Sequence, residues 1–147
     1  AKVRGLVQDA VTKGANLLYG SLSDGSEGVN RLLPVVVEDV QPGMDIYYNE
    51  SFGPSVSLYT FTDDEQALKL ANDTAYGLTG AVFTEDLRRG LSLAKRLETG
   101  AVHINNMTAH DEASLPHGGV KDSGFGRFNG PDGLREWVKT KSITWRD

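Results

Sequence analysis

The chain has 147 residues, with 15 basic against 20 acidic side chains, three histidines and no cysteine, for a formal net charge of −5. That length holds one ordinary domain with a real core, or part of one, and leaves little room for two independent cores. The scattered basic residues offer no footprint for nucleic acid, no apolar run reaches membrane-spanning length, and the lack of cysteine excludes disulfides, thiolate metal sites and cysteine nucleophiles within the chain.

At 39% hydrophobic, 24% charged and 17 glycines the composition is globular with many tight loops. The N-terminal "AKVRGLVQDA" has helical periodicity rather than the apolar block of a signal peptide. With the missing cysteines, this suits a soluble chain in a reducing, cytoplasmic compartment. The first residue is Ala, and the helix that follows at once has an apolar face in need of a partner. The chain is therefore either a piece of something longer or a product of methionine removal before alanine.

In chain order, Val3, Leu6, Val7, Ala10 and Val11 share one helical face, and Gly14 ends that helix. "NLLYG" reads as a short strand, "SLSDGSEGVN" as a polar surface loop, and Pro34 in "RLLPVVVEDV" favours an edge or a strand start. After the turn "QPGM", "SVSLYTF" (55–61) alternates as a strand with Val56, Leu58 and Thr60 on one face. Thr62 to Glu65 has the capping-box pattern for a helix through about Asn72, with Ala67, Leu68 and Ala71 inward. "YGLTGAVF" is the next strand. Thr84 is placed to cap a helix on which Leu87, Leu91, Ala94 and Leu97 keep one face, closed at Gly100. "AVHIN" follows as a strand.

Alternating helices and strands with short connections imply α/β layering and parallel pairing. The long stretch from Asn105 to Gly130 has no periodicity of its own, as functional loops do. Pro131 opens a helix of about two turns. In "KSITWR" Ile143 and Trp145 share one side of a terminal strand, which is either a self-contained sheet edge or a pairing edge for another subunit.

Several motifs invite chemistry and fail on context. "GFGRFNG" (124–130) is preceded by the polar "VKDS" instead of the strand that a dinucleotide loop requires. "HGG" (117–119) resembles an esterase oxyanion segment, but no G-x-S-x-G elbow exists. His103, His110 and His117 recur every seven residues, yet one lies in a strand and two in a loop, so the interval implies no shared face and no metal site is expected. Arg88, Arg89, Lys95 and Arg96 read as the solvated face of a helix. Glu50, before a Phe-Gly-Pro turn, is either a surface acid or turn former, or a carboxylate accepting hydrogen bonds from sugar hydroxyls with Phe52 as a flat wall for a ring.

Taken together, "NESFGPSVSLYTFTDDEQALKLANDTAYGLTGAVFTEDL", "TGAVHINN" and "LPHGGVKDSGFGRFNGPDGLREWVKTKSI" resemble the aldehyde dehydrogenase superfamily along essentially the whole chain. "HIN" followed by "HDEASLPHGGVKDSGFGRF" is most similar to members acting on vanillin, benzaldehyde or salicylaldehyde. The resemblance implies an α/β fold: a portion of the catalytic domain (1–139) with a mostly parallel sheet flanked by helices, and a terminal strand (140–147) of an oligomerisation sheet. It further implies that the Rossmann-like cofactor domain is not part of these residues.

It also implies oxidation of an aldehyde, which is attacked by a cysteine thiolate; hydride passes to NAD or NADP, and the thioester is hydrolysed to the acid. The family's Cys, oxyanion Asn and base Glu lie upstream of the matched region, so the chain alone is expected to be inactive and not to bind the cofactor. Glu50 matches the acid on the nicotinamide ribose, and Phe52 the aromatic beside the nicotinamide. Asn105, His110 and His117 fall in the segment that lines the aldehyde tunnel. The implied partners are a small aldehyde and further copies of the chain through Ser142–Arg146, with no nucleic acid and no membrane. One departure is His117, where the family has Phe in P-F-G-G: a ring to hydrogen-bond an oxygenated aromatic substrate, or a sign of drift in an inactive copy. A truncated, non-catalytic protein that self-assembles is the alternative reading.

Overall fold

In the computed structural model, which describes residues 2–22 and 32–147, the first element is the expected helix α1 (Lys2–Thr12). Leu6, Val7 and Ala10 bury its apolar stripe. Gly14, at φ +105°, stops it and donates its amide to the Val11 carbonyl at 3.1 Å. A side chain there would meet the left-handed penalty of about 1–2 kcal/mol. The expected polar loop runs, from Ser23 on, outside the described residues.

The chain divides into two compact units between Phe61 and Thr62. In the first, β1 (Asn16–Tyr19), β2 (Val35–Glu38) and β3 (Ser55–Leu58) form one sheet in the order β1-β2-β3. β1 and β2 are antiparallel, β2 and β3 parallel. Pro34 has no N–H to give a ladder, so it sits just before the first paired residue of a central strand rather than on an edge. Val35 and Val37 point into a core with α1, Val40, Met44 and Ile46, the last on the short helix α2 (Asp45–Tyr48). Each such valine contributes roughly 1.5–3 kcal/mol through burial. β3 stops at Leu58 instead of reaching Phe61, because Glu38, its last partner on β2, ends the ladder there.

The second unit contains α3 (Asp64–Asn72), β4 (Tyr76–Gly77), β5 (Thr79–Val82), α4 (Leu87–Ala94), β6 (Ala101–Ile104), β7 (Val120–Lys121) and α5 (Gly130–Arg135). β5 and β6 pair in parallel with α4 as their crossover, as the helix-strand alternation implies. The single strand expected over 76–83 is split at Leu78, because β4 turns to pair antiparallel with β7. The strands thus form three sheets among the described residues instead of one mostly parallel sheet.

Both helix starts differ by one or two residues from expectation. Asp63, not Thr62, caps α3 by accepting from the Gln66 amide, while the Gln66 side chain accepts from the Thr62 amide. Asp86, not Thr84, caps α4, and its carboxylate accepts from the amides of Arg88 and Arg89. A carboxylate at either start also faces the positive end of the helix dipole, an advantage a hydroxyl lacks.

The leucines at the start of α4 are exposed. Leu87 is 61% exposed and Leu91 48%, while Gly90 is the buried residue of the helix. A methyl group on Gly90 would stand 3.0 Å from Thr84 Cγ2 and 3.2 Å from Ile104 Cγ2, so the helix approaches β6 through its glycine. Nor are these arginines merely solvated: Arg89 of α4 forks onto Asp64, and Arg96, just beyond the helix, donates to Glu65 at 2.6 Å, tying this segment to α3. Those guanidinium groups hold the carboxyls of Asp64 and Glu65 below the usual carboxylate range.

The expected terminal strand does not form within this chain. Residues 142–146 make no ladder, and Trp145 is 83% exposed. A strand is defined by hydrogen bonds to a neighbour, and no sheet edge among the described residues takes the segment up.

Candidate functional site

Glu50 and Phe52 lie on the short turn between α2 and β3, and both are exposed. Phe52 has φ +49°, a left-handed conformation that is an outlier for a bulky residue, with its ring 84% exposed. The turn is held from three sides. A methyl on Gly53 would lie 2.7 Å from Val3 Cγ2 of α1, so the turn packs closely against that helix. The Ser55 amide donates to the Gly53 carbonyl at 2.7 Å and the Ser55 hydroxyl to that of Ser51 at 2.9 Å. The Val35 amide donates to the Pro54 carbonyl at 2.9 Å, anchoring the turn to β2. A rigid backbone therefore presents a carboxylate and a flat ring to the outside, two residues apart.

In the second unit, Asn105 directly follows β6 in the left-handed region, at φ +56°. Its side-chain oxygen accepts from the Thr84 amide and its side-chain nitrogen donates to the Thr84 carbonyl, both at 2.8 Å. The amide of Asn105 is thus engaged in joining the loops that leave β5 and β6.

His110 packs its ring edge-on against His103 of β6, with centroids 5.4 Å apart, and its Nε2 lies 3.4 Å from a Glu112 carboxylate oxygen. The sequence interval hides this contact, because the loop folds back over the strand. His103 Nε2 is buried and has no hydrogen-bond partner among the described residues. Among the described residues no group of three or more His, Asp or Glu side chains is arranged to hold a metal ion.

His117 is half-buried and exchanges two backbone hydrogen bonds with Phe128, at 3.0 and 2.7 Å. The glycines after it are packing glycines: a methyl on Gly118 would stand 2.5 Å from the Gly126 carbonyl oxygen, and one on Gly100 would strike the Gly118 carbonyl. Arg127 donates to the carbonyls of Gly119 and Gly126 at 3.0 and 2.7 Å, closing the "GFGR" stretch on itself. Sequence reasoning missed Arg127, Lys121 and Asn129. Lys121, at φ +54°, donates to the carbonyls of Asn72 and Thr74 and pairs with Glu98 at 2.6 Å. Only the density of glycines around them signalled unusual backbone.

The aldehyde dehydrogenase family matches residues 1–143. The chain is 41% identical over 143 residues to a vanillin dehydrogenase of Pseudomonas fluorescens, covering 97% of this chain and 29% of that protein. The crystal structure of a salicylaldehyde dehydrogenase from Pseudomonas putida G7 complexed with salicylaldehyde superposes with a TM-score of 0.83 at 36% identity, over 91% of this chain and 27% of that one. A Mycobacterium tuberculosis aldehyde dehydrogenase complexed with NAD+ gives 0.86 at 33% identity, over 99% and 30%. The chain therefore spans under a third of the length of the relatives it matches. On this sequence match and this shared fold, the chain belongs to the aldehyde dehydrogenase family.

Proposed function

We propose that the chain supplies the C-terminal part of the catalytic domain, residues 1–139, of an NAD(P)+-dependent dehydrogenase that oxidises an aromatic aldehyde to its carboxylic acid in the cytoplasm. The observation that carries this reading is the match over 97% of the chain to a vanillin dehydrogenase. When bound, the nicotinamide cofactor accepts the hydride. Glu50 accepts hydrogen bonds from the ribose hydroxyls, and the Phe52 ring limits the movement of the nicotinamide. Asn105, His110 and His117 belong to the loop facing the aldehyde, where the His117 imidazole offers a hydrogen bond to an oxygen substituent on the aromatic substrate. The nucleophile, the oxyanion donor and the base come from residues outside this chain, so the 147 residues alone neither bind the cofactor nor turn over. Ser142–Arg146, with Ile143 and Trp145 exposed, adds as a strand to the sheet of a second copy.

The test is a chimera in which this chain replaces the matching segment of the Pseudomonas fluorescens vanillin dehydrogenase. Oxidation of vanillin with NAD+, and a rise in the KM for NAD+ in Glu50→Gln and Phe52→Ala, are expected. A folded chimera that produces no NADH would overturn the reading.

A further inference from the structure

The loop from Asn105 to His117 is pinned at three places. Asn105 holds Thr84 at its start and His117 pairs with Phe128 at its end. The middle pin is Asn129, whose side-chain nitrogen donates to Asp111 Oδ1 at 2.7 Å and to the Glu112 carbonyl at 3.3 Å. The next amide, that of Gly130, donates to the Ala113 carbonyl at 3.1 Å.

Asn129 does this from φ +66°, ψ 158°, a backbone region that is essentially confined to glycine. Such a conformation persists only where its surroundings over-determine it. Here Phe128 is held by both bonds to His117, and the Asn129 carbonyl accepts from the Gly133 amide at 2.9 Å. Glycine at 129 would occupy this geometry without strain and would make every one of those backbone bonds. What asparagine adds is its side-chain amide, and that amide is directed at Asp111 and Glu112, beside His110.

We propose that Asn129 is a positioning residue: its amide, held at a strained backbone, fixes residues 111–113 and so sets where His110 stands over His103. This rests on the proposed function for its bearing on the aldehyde, but the staple itself does not.

The experiment compares Asn129→Gly and Asn129→Ala in the chain by hydrogen exchange over residues 110–115 and by thermal unfolding. Both variants lose the amide, and only the glycine relieves the backbone. Several-fold faster exchange in both is expected, with the thermal midpoint of Asn129→Gly at or above that of the unmodified chain and that of Asn129→Ala below it. Unchanged exchange in Asn129→Gly would overturn the staple, and equal midpoints for the two variants would overturn the strain. Should the alanine variant not fold, Asp111→Ala removes the acceptor from the other side and must also speed exchange. In the vanillin dehydrogenase chimera, Asn129→Gly is expected to raise the KM for the aldehyde several-fold and to move kcat by less; a fall confined to kcat would contradict positioning. A chimera without any activity counts against the proposed function and leaves the exchange result to decide the staple.

Discussion

Asn105 holds Thr84 by both of its backbone groups, the N–H and the C=O, with two bonds of 2.8 Å made by a single side-chain amide. The pairing joins the C-terminal ends of two parallel strands, and it needs a residue that tolerates φ > 0 and carries both a donor and an acceptor. Asparagine meets both conditions. Asn105→Ala loses both bonds and adds left-handed strain, so a loss of about 2–4 kcal/mol is expected in chemical denaturation. Asn105→Gly keeps the backbone at ease and should lose less. Exchange of the Thr84 amide proton should accelerate in both.

Phe52 carries the opposite combination of ring and backbone. Its ring is 84% exposed, so little packing is lost on removing it, while φ +49° is strained for any side chain. Phe52→Gly is expected to leave stability unchanged or raise it by about 1 kcal/mol, as urea titration would read. A clear loss of stability would mean that the ring packs where the structure shows it outside.

Gly90 is the contact point of α4 with β6. Valine there would press on Thr84 Cγ2 and Ile104 Cγ2, which a methyl group already approaches at 3.0 and 3.2 Å. Overpacking is expected to cost about 1–3 kcal/mol, more than the better helix propensity of a non-glycine residue returns. The thermal midpoint of Gly90→Val should therefore fall.

The ion pairs between α3 and α4 set an acid limit. Asp64 is held low chiefly by its hydrogen bonds from Arg89, and Glu65 chiefly by those from Arg96. A carboxyl whose folded pKa is depressed contributes stability that is present above its unfolded pKa and lost as pH falls through the folded one. The contribution should thus be intact at pH 7 and disappear below the ordinary carboxylate range. In Asp64→Asn with Glu65→Gln, the decline of the thermal midpoint on acidification should be shallower. High salt should weaken the effect, since these groups are exposed.

Trp145 tests the proposed association of copies. Trp145→Lys places a charge on the terminal segment, where pairing would bury the indole, and should shift light scattering towards smaller species. The same mass for both proteins would remove the segment from any interface.

Periodicity made most of the elements legible. The stripe Leu6, Val7, Ala10 is the buried face of α1, and the β5-α4-β6 crossover follows from the alternation of helix and strand. What escaped depended on distant partners. Nothing local says that Gly77 should pair with Val120 or that α4 should turn Gly90 inward and leave Leu87 out. The divide at Phe61 falls in "YTFTDDE", with no glycine or proline to mark it. Glu50 and Phe52 were distinguished by motif resemblance; the exposure and strain of Phe52 became visible only with backbone angles. The His103–His110 contact was hidden because spacing along a loop carries no direction.

The two kinds of strand pairing in the second unit differ in how far they reach. Thr79 meets Ala101 across 22 residues, with a helix of its own between them, whereas Tyr76 meets Lys121 across 45, a span that holds the whole β5-α4-β6 crossover and then the stretch that leads to β7. Closing a span is entropically uphill until its contacts form, so the shorter crossover should assemble early and the β4–β7 pair, whose span contains it, late. The segment carrying His110, Asp111 and His117 would then be the last part of its unit to take shape. Substitutions at Lys121 should speed unfolding and leave the folding rate nearly unchanged.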